Sequence, residues 1–166
     1  MHMIDNADSY SVVRSKAISH IGISHKSSGR VRDYLYRSGV DHSLADEVVD
    51  TLIVDGYIDD LRVARSIASG RKGKKSESTA RLRQRLLAFG VSDQAISDLM
   101  EELPTDAITI EHLVNDKFQD TDFDKLNHEE LDLWTLSAMR FLNSRGFSRN
   151  LSLFAIRKFI TNDKAN

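Results

Sequence analysis

An all-α fold, three tandem three-helix repeats stacked into an elongated, curved array, is predicted by the 166-residue sequence on three observations. One Pro, eight Gly and 7% aromatic residues supply too few turn formers for an all-β sandwich or barrel. Sliding the chain by 51 residues superposes 12–52 on 63–103 without a gap, with twelve of the 41 positions identical. Among the matches are Arg14/Arg65, Gly22/Gly73, Ser27/Ser78, Arg30/Arg81, Arg32/Arg83, Leu35/Leu86 and Gly39/Gly90. Within each copy, apolar residues recur at helical spacing.

A fainter third copy, offset by 56 residues, places Leu142 on Leu86, Gly146 on Gly90, Phe147 on Val91 and Ile156 on Met100. Its extra length falls in the acidic stretch 119–125. The expected organisation is an N-terminal tail 1–8, repeats over 9–58, 59–104 and 105–162, and a C-terminal tail 163–166. A unit of about 50 residues has little core of its own, so neighbours are expected to stack.

In repeat 1, helices are expected over 9–21, 28–38 and 42–55. In repeat 2, Asp59 or Asp60 can N-cap a helix from Leu61 to about Gly73, and Ser78 can cap one from Thr79 to Phe89. Leu82, Leu86 and Phe89 form one apolar stripe, and Gly90 supplies the left-handed residue that closes the helix. Ser92 caps the third helix, which buries Ala95, Ile96, Leu99, Met100 and Leu103. Repeat 3 is expected to hold helices over 106–118, 128–145 and 149–162, with Trp134 in its core. Tyr34, Tyr36 and Tyr57 are expected to be packing residues.

With 40% hydrophobic and 29% charged residues the composition is that of an ordinary soluble protein. The absence of Cys excludes disulfides, Cys-ligated metal clusters and a thiol nucleophile. No apolar run reaches membrane-spanning length and Met1–Asp8 has no signal-peptide pattern, so the expectation is a cytoplasmic protein with no membrane partner. The six His lack the spacing of a helical zinc site, and His128-Glu129-Glu130 is not H-E-x-x-H. They are expected to be surface or capping residues. A phosphate-binding P-loop ending at Gly73-Lys74 would need Gly where Ala68 stands and Ser or Thr where Lys75 stands. No catalytic constellation, metal site or cofactor is expected, and the chain is not read as an enzyme.

Charge is unevenly spread. Residues 1–90 hold 15 Lys and Arg against 11 Asp and Glu, whereas 91–166 hold 8 against 14. Over 62–85 nine basic residues face the single Glu77. The candidate binding residues are Arg30 and Arg32 in repeat 1, and Arg62, Arg65, Arg71, Lys72, Lys74, Lys75, Arg81, Arg83 and Arg85 in repeat 2. Clustered cations with few acids among them repel one another and suit phosphates or an acidic protein surface.

The run Gly56-Tyr57-Ile58-Asp59-Asp60-Leu61-Arg62-Val63-Ala64, the basic Gly-containing loop, and Arg81-Leu82-Arg83-Gln84-Arg85-Leu86-Leu87-Ala88-Phe89-Gly90-Val91 together resemble the signature of the RecX family. Ser27 to Val40 and Met139-Arg140-Phe141-Leu142-Asn143-Ser144-Arg145-Gly146-Phe147 are similar to its flanking repeats, so the resemblance covers roughly 9–160. It implies a monomeric regulator that binds the filament of RecA on single- or double-stranded DNA. It further implies inhibition of recombinase, ATPase and co-protease activities, and so modulation of recombination, DNA repair and the SOS response, with no catalysis of its own. Arg62, Arg71, Lys72, Lys74, Lys75, Arg81 and Arg83 match the family's basic elements. Where family members often carry Pro after the basic loop, this chain has Ser76-Glu77-Ser78, and its third repeat is acidic. The alternative reading is a helical nucleic-acid-binding module acting directly on DNA through Thr79–Phe89, a helix on which Gln84 is the one Asn or Gln able to read bases.

Overall fold

The computed structural model describes residues 6–163, with side-chain surroundings for 9–162; of the expected tails, 1–5 and 164–166 lie outside the described residues, while 6–8 belong to the first helix and 163 to the last. The described residues form nine α-helices, two single-turn 3₁₀ segments and no strand. In chain order the helices are α1 (Asn6–Ile21), α2 (Ser28–Arg37), α3 (His42–Val54), α4 (Asp60–Ser69), α5 (Thr79–Ala88), α6 (Asp93–Glu102), α7 (Asp106–Phe118), α8 (His128–Asn143) and α9 (Arg149–Asp163). The chain divides into two units, one of residues 1–67 and 85–101, the other of 68–84 and 102–166.

In the first unit the apolar periods of α1, α2 and α3 meet. Val13, Ala17 and Ile21 pack with Val31 and Leu35, with Ala45, Val48, Val49 and Leu52, and with Ile58 after α3. Ser27 caps α2 by accepting from the Arg30 amide, and Asp41 caps α3 by accepting from Ser43 and Leu44. Two contacts join α2 to residues more than 30 positions away. The buried Asp60 carboxylate accepts from the Ser28 amide and hydroxyl, both at 2.7 Å, and from the Ser92 amide at 2.8 Å. It thereby satisfies orphan donors at the starts of both α2 and α6. Beside it the Gly29 amide donates to the Gly90 carbonyl at 2.9 Å. A Cβ on Gly29 would stand 2.7 Å from that oxygen, so only glycine allows the approach.

The second unit has its core between α7, α8 and α9. Ile110, Leu113, Val114, Ala138, Leu142, Phe147, Ala155 and Ile156 are buried together. Asn127 and Glu130 form a reciprocal capping box at the start of α8. Here too distant residues hold a helix start: the Thr79 amide donates to Asp106 at 2.8 Å and the Ser78 amide to the Arg145 carbonyl at 3.0 Å. Gly146, at φ +86°, faces Ser78, whose Oγ would lie 2.7 Å from an added Cβ.

Four expectations need correction. The helix expected to reach Gly73 ends at Ser69, because Gly70, a poor helix former, follows it and Gly73 stands at φ +58°. Phe89 is not in the buried stripe of Leu82 and Leu86: α5 ends at Ala88, which carries Phe89 past the apolar face and leaves it exposed under the Arg30 guanidinium, 5.6 Å from the ring centroid. Tyr57 is exposed rather than packed, since it follows Gly56 at φ +77° and lies under Arg14, 5.4 Å from its ring centroid. The acidic stretch 119–125, read as mere extra length, holds the fully buried Phe123, edge-on to Trp134 and Phe159. Trp134 is half-buried in that aromatic group and its indole Nε1–H has no partner among the described residues.

Candidate functional site

Within the second unit the basic loop after α4 takes a defined path. The Arg71 amide closes on the Ala68 carbonyl, and a 3₁₀ turn over Gly73–Lys75 is closed by the Ser76 amide on the Gly73 carbonyl at 2.9 Å. Arg71, Lys72, Lys74 and Lys75 are all exposed, and no carboxylate pairs with them among the described residues. Four like charges in five residues are thus presented to solvent on a turn whose backbone is fixed.

What fixes it is Arg145, at the end of α8. Its guanidinium donates to the Lys74 carbonyl at 3.0 Å and to the Phe141 carbonyl at 3.2 Å, and lies over the Phe141 ring 3.8 Å from the centroid. Its Nε is buried without a hydrogen-bond partner among the described residues. Burial, and then the nearby Arg81, push the Arg145 guanidinium below its ordinary value. Arg81 in turn donates to the Ser144 carbonyl and sits 3.6 Å from Glu77. The loop backbone at Lys74 is therefore held by one partly buried arginine, with Arg81 beside it. Only its place in the Met139–Phe147 motif marked Arg145 in the sequence; its side-chain contacts left no local signal there.

The remaining candidates are dispersed. In the second unit Arg83 is exposed, and in the first unit Arg62 is exposed on α4 with its amide on the Asp59 carboxylate. Arg65, Arg83 and Arg85 are not free side chains. Arg32 is committed to its own unit, bridging Asp46 at 3.0 Å and Asp50 at 2.6 Å, and Tyr36 also donates to Asp46 at 2.7 Å. The Tyr36 hydrogen bond, ahead of Arg32, holds the Asp46 carboxyl below the usual carboxylate range. Arg30 lies over Phe89, as described above. Among the described residues no group of His, Asp or Glu could hold a metal ion, and no helix is long and apolar enough to cross a membrane.

No known protein-family model matches the chain. A regulatory protein RecX from Trichlorobacter lovleyi is 30% identical over 110 residues, which cover 64% of this chain and 69% of that protein. The chain belongs to the RecX family. RecX proteins from Streptococcus thermophilus and Bacillus mycoides are 23% and 28% identical over 107 and 89 residues. The matched part spans only 42% and 33% of those longer RecX chains. In fold, the crystal structure of RecX from Lactobacillus salivarius is similar at a TM-score of 0.66 and 16% identity, over 92% of this chain and 97% of that one. A second RecX crystal structure gives 0.60 at 17% identity, over 87% and 70%. The all-helical RecX fold is thereby established for this chain.

Proposed function

We propose that this RecX chain acts as a monomeric regulator of RecA, binding the RecA–DNA filament and inhibiting its recombinase, ATPase and co-protease activities. Through them it would modulate recombination, repair and the SOS response. In this reading its three helical repeats stack as an elongated, curved array, it works in the cytoplasm, and it neither catalyses a reaction nor needs a cofactor. The observation that carries the reading is the loop Arg71–Lys75, whose four exposed cations carry no ion pair among the described residues. An unpaired cationic turn on a fixed backbone gains Coulomb energy from phosphates or a carboxylate-rich protein surface, and loses little conformational entropy on contact. Arg81 supports it from the same unit, with Arg30, Arg32, Arg62, Arg65, Arg83 and Arg85 as further candidate contacts.

The test is DNA-stimulated ATP hydrolysis by the cognate RecA on single-stranded DNA, titrated with this protein, beside binding to the same DNA without RecA. Inhibition at concentrations well below those that coat naked DNA is the expected outcome. Lys72→Glu/Lys74→Glu/Lys75→Glu is the informative variant, because Arg81 and Arg83 have intramolecular partners whereas these lysine side chains have none among the described residues. It should weaken inhibition while leaving the melting temperature within a degree or two, as surface changes do. Tight binding to naked DNA with no effect on RecA would instead identify a module acting on DNA directly. The same unpaired loop favours that second reading.

A further inference from the structure

The first unit holds an open cleft of about 420 Å³ that shares only Arg30 with the proposed regulatory contacts. One wall is a single face of α2, where Arg30, Asp33, Tyr34 and Arg37 recur at helical spacing. Opposite lie His20 from the end of α1, then His25 and Lys26 from the following loop. Phe89 and Val63 complete the lining. Tyr34 and His20 stack with ring centroids 3.7 Å apart, which fixes the floor between the two walls.

The cleft's charge is unbalanced. Lys26, Arg30 and Arg37, with two imidazoles, face one carboxylate, Asp33, and none of the three forms an ion pair with it. Among the described residues Lys26 donates only to the Ser24 hydroxyl, at 3.1 Å. Burial, and then Lys26, push the His20 imidazole below its ordinary value. The attraction does not come from the start of α2. The Ser28, Gly29 and Arg30 amides are already used by Asp60, the Gly90 carbonyl and Ser27, so side chains alone create it.

We infer that this cleft binds a phosphate ester, with Arg30 and Arg37 as its principal ligands and His25 and Lys26 closing over the anion. Guanidinium groups match phosphate oxygens with paired donors, and a dianion relieves the mutual repulsion of cations that lack a carboxylate. The volume suits one phosphate with an attached sugar, whereas an extended acidic peptide would need a longer groove. The ester can come from a free nucleotide or from the backbone of a nucleic-acid strand.

The experiment titrates the full chain with inorganic pyrophosphate, with dAMP, with a ten-residue oligothymidylate and with a glutamate decapeptide, following the ring signals of the histidines by NMR. The His20 and His25 signals should move with each phosphate ligand while His112 and His128, in the other unit, stay in place. Arg37→Gln should weaken binding about tenfold, the cost of one charge-assisted contact, without changing the melting temperature. Tighter binding of the oligothymidylate than of dAMP would assign the strand as the source, and the reverse would assign a free nucleotide. Equal movement of all the histidines, equal affinity for the glutamate decapeptide, or an unaltered Arg37→Gln titration would each overturn the assignment. Because Lys72, Lys74 and Lys75 belong to the other unit, their variant should bind pyrophosphate normally even where inhibition of RecA is lost.

Discussion

Two junctions, one in each unit, share the matched residues Ser27/Ser78 and Gly90/Gly146 of the internal duplication and yet are held in different ways. In the first, Ser27 and Ser28 at the start of α2 meet Asp60 and the Phe89-Gly90 turn. In the second, Ser78 and Thr79 at the start of α5 meet Asp106 and the Arg145-Gly146 turn. The position of Gly29 is taken by Ala80, and that of Phe89 by Arg145. Where glycine allows it, backbone touches backbone. Where alanine stands instead, the backbone bond moves to the Ser78 amide and the Arg145 carbonyl, and side chains add to it: Arg81 reaches the Ser144 carbonyl and Arg145 reaches that of Lys74. A repeated scaffold can therefore keep its register device, an acid at a helix start, while exchanging the contact beside it. That exchange places a desolvated guanidinium under the basic loop in the second unit only.

The sharpest way to break the comparison is to remove each acid. Asp60 is buried and serves three donors, whereas Asp106 serves one that is half-buried. Asp60→Ala should cost about 2–4 kcal/mol and Asp106→Ala about 1 kcal/mol, read from denaturant midpoints. Equal costs would mean that the Asp60 donors find water or other acceptors. A smaller effect is expected from exchanging the residues that set the approach. Gly29→Ala must push α2 off the Gly90 carbonyl and should cost about 1–3 kcal/mol, while Ala80→Gly should cost only the helix propensity difference of about 1 kcal/mol. The smallest effect concerns pH and belongs to the first unit. The folded-state pKa of Asp46 is depressed by Tyr36 and Arg32, so its contribution is present above the ordinary carboxylate pKa and is lost as pH falls below about 4. Asp46→Asn should flatten the acid limb of the melting-temperature profile slightly and leave it unchanged above pH 6.

The helices were legible in the sequence because their signals are local. Ser27, Asp41 and Asn127 cap within three residues of themselves, and the apolar spacing of Val31 and Leu35 needs no distant information. Asp60 was legible only as a candidate cap for its own helix, since its partners Ser28 and Ser92 lie 32 residues away on either side. The same limit hid Arg145, whose role depends on the Lys74 carbonyl 71 residues earlier, and the cleft, whose histidines read as surface or capping residues. Phe89 misled for the opposite reason. Its spacing fits the stripe, but the helix stops one residue too soon for the fit to matter. Of the candidate site, the unpaired charge of Arg71–Lys75 was readable, while the engagement of Arg32 by Asp46 and Asp50 depended on which helix α2 packs beside.

The division of the chain into units does not follow its order, because residues 68–84 belong with 102–166 while 85–101 belong with 1–67. A polypeptide emerging in sequence completes the set of residues of the first unit once 101 has been made, but the second must retain a 17-residue stretch made earlier until its remainder arrives. Cutting after Pro104 should accordingly leave an N-terminal fragment that folds and a C-terminal one that lacks the basic loop and the partner of Arg145. The exposed cationic loop thus lies in a unit that no contiguous excision can isolate.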